Sequence, residues 1–432
     1  MRPRLLRLPN DPTPRLTHYL FRYPAKFHPP VVASLLDRFT APGQIVFDPF
    51  VGSGTALVEA VIRGRQAVGL DIDPVAVEVS KAKTRRYNDR DVSRAFKQLL
   101  VAATALERPA SEYEHRMFND ISEDEFQKTV ADEGLWVPAI PRLQHWFRRY
   151  VIIDLARILA AIHPVNASQR TRLLMRLVFA SIIRNSSNAD PVPVSGLEYT
   201  AHMRRRDAAG RPVNPFALLR VAIAKTEHAV AEYTMALGSE TPEPRVICGS
   251  SISMAKSITG QVDAILTSPP YHNAVDYYRR HQLEMFWLGL TNSQAEREKL
   301  LPGYIGRPHI PAKDPLFSLP WDPPPLARAW EERMRAVVPR RADDFRHYVQ
   351  AMHRSFSSFA RVVRFGGPML MVVGHSSWNG DRIPTGRLFA ELASDFALED
   401  TLYYPVKNRY MSYARHNEAS IDKEYVLVFV KK

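Results

Sequence analysis

The sequence predicts an α/β protein: a doubly wound, mostly parallel sheet carrying a helical insertion domain. Three stretches predict it. Residues 44–60 read as a strand over Ile45 to Phe47, a tight Gly52-Ser53-Gly54 loop, and a helix opening at Thr55. Ala67 to Asp71 reads as a second strand with an acidic end. Asp263 to Leu266 has the short apolar pattern of a buried parallel strand. It stops at Ser268-Pro269-Pro270, because proline brings no N–H to a ladder and restricts the residue before it. Strands ending this way place their last side chains at the carboxyl edge of a sheet, where open α/β folds bind ligands.

Taken in order, the chain opens on an aromatic and basic stretch, Tyr19 to Phe27, in which prolines forbid a continuous helix. Val31 to Phe39 predicts a short amphipathic helix through Val32, Leu35, Leu36 and Phe39. The glycine loop follows, where a backbone can approach a ligand closely. No Lys-Ser/Thr pair follows Gly54, which excludes a phosphate-binding P-loop, and Leu57 stands where a dinucleotide fingerprint needs its third glycine. Asp71 and Asp73 close the next strand, and an acid there can accept hydrogen bonds from ribose hydroxyls. Together these features fit a nucleoside ligand without an essential pyrophosphate.

Pro74 suits the first turn of a helix. After Tyr87 the strand–helix alternation lapses. Helical periodicity covers Asp89 to Leu106, Arg142 to Ile162, Arg170 to Arg184 and Phe216 to Leu237. Asn185 to Arg211 reads as a loop whose amides and Arg204-Arg205-Arg206 run suit base edges and phosphates, or else a solvated surface. Arg245 to Cys248 resumes the parallel pattern. Asp276 to Leu290 predicts one helix, and residues 302–341 a proline-rich insertion, extended or partly ordered. Phe345 to Val363 predicts a helix; Pro368 to Val373, Leu402 to Val406 and Tyr425 to Val430 predict the closing strands. The expected organisation is a catalytic domain assembled from 1–87, 245–290 and 345–432. A mainly helical insertion over 88–244 is the candidate target-recognition region, and a proline-rich one covers 291–344.

The chain has 432 residues with 58 Lys plus Arg against 45 acidic side chains, a net charge of +13. That excess favours a polyanionic partner, since each neutralised phosphate releases counterions. A single cysteine, Cys248, excludes an internal disulfide and a cysteine-rich metal site, and points to a reducing cytosol. No run approaches the roughly 18 apolar residues of a membrane helix.

Asp48-Pro-Phe-Val-Gly-Ser-Gly-Thr55, then Gly69-Leu-Asp-Ile-Asp-Pro74, then Thr267-Ser-Pro-Pro-Tyr271 resemble the S-adenosylmethionine-dependent DNA amino-methyltransferases. The Ser-Pro-Pro-Tyr form is most similar to members that methylate cytosine N4. Tyr23-Pro-Ala-Lys-Phe-His-Pro29, Arg279 to Gly289, Arg364-Phe-Gly-Gly367 and Glu424 to Phe429 extend the resemblance to about half of the chain. It implies a class I methyltransferase-like sheet of seven strands with the last antiparallel. It implies S-adenosylmethionine held by Lys26, Phe27, Pro29, Asp48, Phe50, Gly52, Ser53, Gly54, Thr55, Asp71, Ile72, Ser250 and Thr267. Lys26, Phe27 and Pro29 would lie over the methionine end, although Phe27 equally suits packing beneath the sheet. Ser250 stands where many members carry an aspartate on the adenine amine.

An exocyclic base amine is a poor nucleophile, because its lone pair is delocalised into the ring. Acceptors aimed at its N–H protons draw it towards sp³ character. Ser268 and the Pro269 carbonyl can accept, proline rigidity fixes the corner at Pro270, and Tyr271 offers a stacking face for a base extruded from duplex DNA. The expected DNA contacts are Arg204, Arg205, Arg206, Arg279, Arg280, Lys407, Arg409 and Arg415. Cys248 lies outside any Pro-Cys corner, which argues against cytosine-C5 chemistry. The expected product is N4-methylcytosine in double-stranded DNA. Adenine-N6 methylation is the alternative, and an RNA guanosine-N2 enzyme a more distant one. A prokaryotic cytoplasmic, nucleoid-associated location and a cognate restriction endonuclease complete the expectation.

Overall fold

A computed structural model describes residues 3–8, 15–24, 26–191, 196–238, 241–254, 258, 260–272, 275–374, 376–406 and 423–432. Ten strands occur among them: β1 (Arg4–Leu5), β2 (Ile45–Asp48), β3 (Gln66–Asp71), β4 (Arg245–Cys248), β5 (Ala264–Thr267), β6 (Pro368–Val373), β7 (Ser376–Trp378), β8 (Asp381–Ile383), β9 (Phe396–Pro405) and β10 (Lys423–Lys431). Eight form one sheet in the order β1-β9-β10-β6-β5-β2-β3-β4, while β7 and β8 pair by themselves. β10 runs antiparallel to both β6 and β9, and the other pairings in that sheet are parallel. Seven of the strands reproduce the expected pattern. The eighth, β1, adds a short edge beside β9 that the sequence did not signal.

Side chains alternate across the sheet, as the period of two requires. Val46, Leu266, Leu370, Val372 and Val426 pack on one face, against α1 (Pro29–Phe39) and α2 (Thr55–Ile62). Phe47, Ile265, Met369, Met371 and Phe429 pack on the other, against α16 (Pro339–Val362) and α17 (Thr385–Leu392). Helices therefore cover both faces of the sheet.

Between α3 (Pro74–Thr84) and β4 the chain leaves the sheet. Among the described residues this excursion holds α4 (Asp89–Leu106), α5 (Ala110–Arg116), α6 (Glu123–Asp132), α7 (Leu143–Trp146), α8 (Arg149–Ile162), α9 (Gln169–Ser186), α10 (Ala201–Ala208) and α11 (Pro215–Ala236). The single helix expected over 142–162 is broken at Phe147 and Arg148, both extended. Arg148 is held there by the Arg211 carbonyl and Asp207. The arginine run expected in a loop lies on α10, which Thr200 caps by accepting from the Met203 N–H.

The helix expected over 276–290 is two pieces, α12 (Tyr277–Arg280) and α13 (Gln282–Trp287), interrupted at His281. Trp287, fully buried, meets the edges of Trp136, Phe147 and Phe179, and so joins the excursion to the segment that follows β5. The proline-rich insertion is ordered. It carries α14 (Gln294–Glu298), two 3-10 turns and α15 (Pro325–Val337), whose proline sits in the first turn, where its missing N–H costs nothing. No helix among the described residues is long and apolar enough to cross a membrane.

Candidate active site

The strand order reverses between β2 and β5, and the carboxyl ends of β2, β3, β4 and β5 meet at one edge. That is the switch point where such sheets bind ligands. The loop after β2 is held from three sides. Asp48 Oδ1 accepts from the Phe50 N–H at 3.1 Å and from the Thr267 hydroxyl at 2.6 Å, tying β2 to β5. Asp71 at the end of β3 accepts from the Gly52 N–H at 2.8 Å through one oxygen and from the Asp73 N–H at 3.0 Å through the other. From α3, Ser80 donates to the Gly52 carbonyl at 2.8 Å and the buried Lys83 donates to that of Ser53. Gly52 and Gly54 take left-handed φ of 46° and 77°, and a Cβ on Gly54 would stand 3.0 Å from Ser80 Oγ. The loop is a rigid backbone cradle that only glycine can build at those two positions.

Two carboxyls at this edge are out of their ordinary range. Burial raises Asp48 to about 7, against the pull of the Thr267 and Phe50 hydrogen bonds. Burial, then the neighbouring Asp73, raises Asp71 to about 7 as well. Both Asp73 oxygens are engaged: one caps α3 at the Val75 N–H, and the other lies 2.6 Å from His281 Nδ1. Lys26 is lowered to about 8 by burial and then by Lys225.

A cleft opens along this edge, the concave kind of place in which small molecules are bound. Lys26, Phe27, Asp48, Phe50, Gly52, Ser53, Thr55, Asp71, Ile72, Ser268 and Pro270 line it, as do Tyr23, Asp73, Gly249, Ser251, Tyr277, Gly303, Tyr304 and Ile305. Phe27 lines the cleft and also packs against the α1–α2 core. At the far end Pro270 offers its carbonyl to the Tyr348 hydroxyl at 3.1 Å, which pins the corner.

Several expected contacts fall elsewhere. Pro29 is buried in the first turn of α1, away from the cleft wall. Gly54 packs under the loop against Ser80 rather than lining it. Thr267 holds Asp48 from beneath. The Ser250 hydroxyl accepts from the Ile252 N–H, and its neighbour Ser251 faces the cleft instead. Pro269 is buried behind the corner. Tyr271 does not line the cleft. Its hydroxyl donates to Glu424 at 3.2 Å, and Tyr404 donates to the same carboxylate, so the aromatic face presented is that of Tyr277, stacked on Tyr23.

Of the expected DNA contacts, Arg204, Arg205 and Arg206 are exposed on α10. Arg279 is exposed, with one nitrogen on the Leu197 carbonyl. Arg280 is a correction: it is 1 % exposed and packed beside Arg184, out of reach of a phosphate. Lys407, Arg409 and Arg415 lie outside the described residues. Sequence reading missed Tyr277, Ser251 and the Gly303–Ile305 wall. Only Tyr23 had a signal, the motif at residues 23–29.

A parallel sheet with one inserted antiparallel strand, and a glycine cradle at its switch point, are those of a class I methyltransferase-like fold. Residues 7–82 match the family described as DNA methylase, of the N6/N4 methyltransferase group. The chain is 25 % identical over 291 residues to the Type II methyltransferase M.MvaI of Kocuria varians, covering 65 % of this chain and 59 % of that protein. It is 23 % identical over 299 residues to M.BsoBI of Geobacillus stearothermophilus, covering 64 % and 53 %. An 83-residue stretch, 19 % of this chain and 16 % of the relative, is 32 % identical to M.MjaII of Methanocaldococcus jannaschii. These matches support the DNA amino-methyltransferase family for this chain. It spans just over half the length of the first two relatives.

The family's cofactor is S-adenosylmethionine, and the residues present fit it. The cradle leaves backbone open to a ligand, Asp71 keeps acceptor capacity for hydroxyls, and the buried Thr55 Oγ1 on the cleft wall has no partner in the protein.

Proposed function

We propose that this chain transfers a methyl group from S-adenosylmethionine to the exocyclic amine of a base in double-stranded DNA, with cytosine N4 as the amine. The observation that carries this reading is Ser268 on the same cleft as the Gly52–Asp71 cradle. Lys26, Phe27 and Thr55 would hold the amino-acid end of the donor, and Asp71 its ribose. When bound, the donor supplies an electrophilic methyl group on a sulfonium.

The protein's own work is positioning and electrostatics. Ser268 Oγ accepts from an amine proton, stabilising the charge that grows on nitrogen. The Tyr348–Pro270 bond holds that corner in place, so little rearrangement is needed at the moment of transfer. Tyr277, backed by Tyr23, gives the extruded base a face to stack on. The exposed arginines of α10 supply phosphate contacts from the helical excursion. The similarity to Type II methyltransferases supports a cognate restriction endonuclease as partner.

The test is to incubate the chain with donor and duplex DNA, digest to nucleosides, and identify the product by chromatography with mass detection. N4-methylcytosine is expected. N6-methyladenine would keep the mechanism and overturn the base; methylated guanosine in RNA would overturn the substrate.

A further inference from the structure

The strap that runs from the 3-10 turn Leu301–Gly303 to Gly306 belongs to the proline-rich insertion, yet it roofs the cleft. It is fitted at both ends. A Cβ on Gly303 would stand 2.6 Å from the Ile72 side chain, just beyond Asp71. Gly306, at φ 79°, comes so near the Tyr271 carbonyl that a Cβ would stand 2.8 Å from it. One short segment thus touches both the acidic end of β3 and the Ser-Pro-Pro-Tyr corner.

Between those glycines sits Tyr304, 4 % exposed and lining the cleft, with a hydroxyl that has no hydrogen-bond partner in the protein. Its ring is fixed from behind, edge-on to Tyr278 at 5.5 Å, and Arg297 lies 3.6 Å over the face of Tyr278. A buried hydroxyl left unpaired costs free energy unless something else meets it. Its surroundings say what that is. Burial raises the hydroxyl's pKa, and so do Asp73 and Asp71, which places the group at the acidic end of β3. Ile72 and Ile305 add apolar wall on that side.

We propose that Tyr304 is a ligand-contacting residue whose hydroxyl hydrogen-bonds the nucleoside half of the methyl donor, under a roof formed by residues 301–306. The inference rests on the donor site proposed above. It gives the insertion a part in the cofactor site as well as any part in reading DNA.

The test is calorimetric titration of the 432-residue chain and its Tyr304→Phe variant with S-adenosylmethionine, S-adenosylhomocysteine and adenosine, with Asp71→Ala as reference. Phenylalanine keeps the ring and removes only the unpaired hydroxyl. Folding without ligand is therefore preserved, which a thermal scan checks. Affinity for all three ligands should fall by a similar factor, about three- to tenfold. Wild-type affinity in Tyr304→Phe, with Asp71→Ala weakened, would overturn this inference and leave the donor site standing. Absence of binding by the wild type would overturn both. A Tyr304→Phe variant less stable without ligand would show that the hydroxyl serves the fold instead.

Discussion

Replacing Asp71 by Asn tests the cradle directly. In the wild type both carboxylate oxygens face backbone donors, Gly52 N at 2.8 Å and Asp73 N at 3.0 Å. Asparagine must turn its NH₂ towards one of them, whichever way it is flipped, so one donor meets a donor. The variant also loses the negative charge that ribose hydroxyls would donate to. Loss of a charge-assisted hydrogen bond costs roughly 1.5–3 kcal/mol. That predicts about a tenfold to hundredfold rise in Kd for S-adenosylmethionine at pH 8.

The wild type should show its own pH dependence. Asp71 sits at about 7, and donors favour its ionised form, so binding is strongest above pH 7 and weakens as pH falls through it. At pH 6 the free protein is mostly protonated at this site, and Kd should be about ten times its pH 8 value. In Asp71→Asn most of the fall below pH 7 should vanish; what remains there belongs to Asp48, also held at about 7, while Lys26, held at about 8, titrates at the upper end of the range. The assay is isothermal titration from pH 5.5 to 8.5. A variant that binds like the wild type at pH 8 would refute the reasoning, and Asp73 could not rescue it, because α3 and His281 already occupy its oxygens.

Other predictions follow from the same geometry. Ser268→Ala should leave donor affinity unchanged and lower turnover by about 10- to 100-fold, as a single-turnover assay would show, because the lost bond matters most in the transition state. Thr267→Val removes the 2.6 Å hydrogen bond that favours ionised Asp48. The Asp48 pKa should then rise further, and stability should fall by roughly 1–3 kcal/mol above pH 7 and by less near pH 5.5. Equal losses in thermal scans at both pH values would contradict that. Changing Arg204, Arg205 and Arg206 to Ala should reduce the slope of log affinity for DNA against log salt by up to roughly 3. An unaltered slope would make the run a solvated surface.

The parts of this molecule legible in the sequence are those whose signals are local. The strands are short apolar runs, Asp48 and Asp71 close theirs, and the proline corner stops β5, so the cleft edge could be read from three short stretches. What escaped depends on partners distant in sequence. Helical period puts Arg280 on α12, but only packing against Arg184 reveals that it is buried. Arg148 breaks a periodic helix because Arg211 and Asp207 hold it. Proline made residues 302–341 look irregular, although Pro325 and Pro339 each begin a helix. Tyr304 carries no motif at all. Its meaning comes from Ile72 and Asp71, which are more than two hundred residues away in sequence and beside it in the fold.

The long excursion between α3 and β4 has a consequence for how the chain is made. β3 and β4 are neighbours in register, Asp71 beside Cys248, and β2 waits even longer for β5. At roughly 5–20 residues per second, a ribosome needs on the order of 10–30 s to deliver β4 after β3 has emerged. Through that interval the β2–β3 pair has open edges on both sides, the condition that invites mispairing between nascent chains. Helices of the excursion can form early by local contacts, but their core also holds Leu283 to Leu288, which emerge only after β5. Birth order therefore makes the closing of the sheet edges and the completion of the helical core one late event.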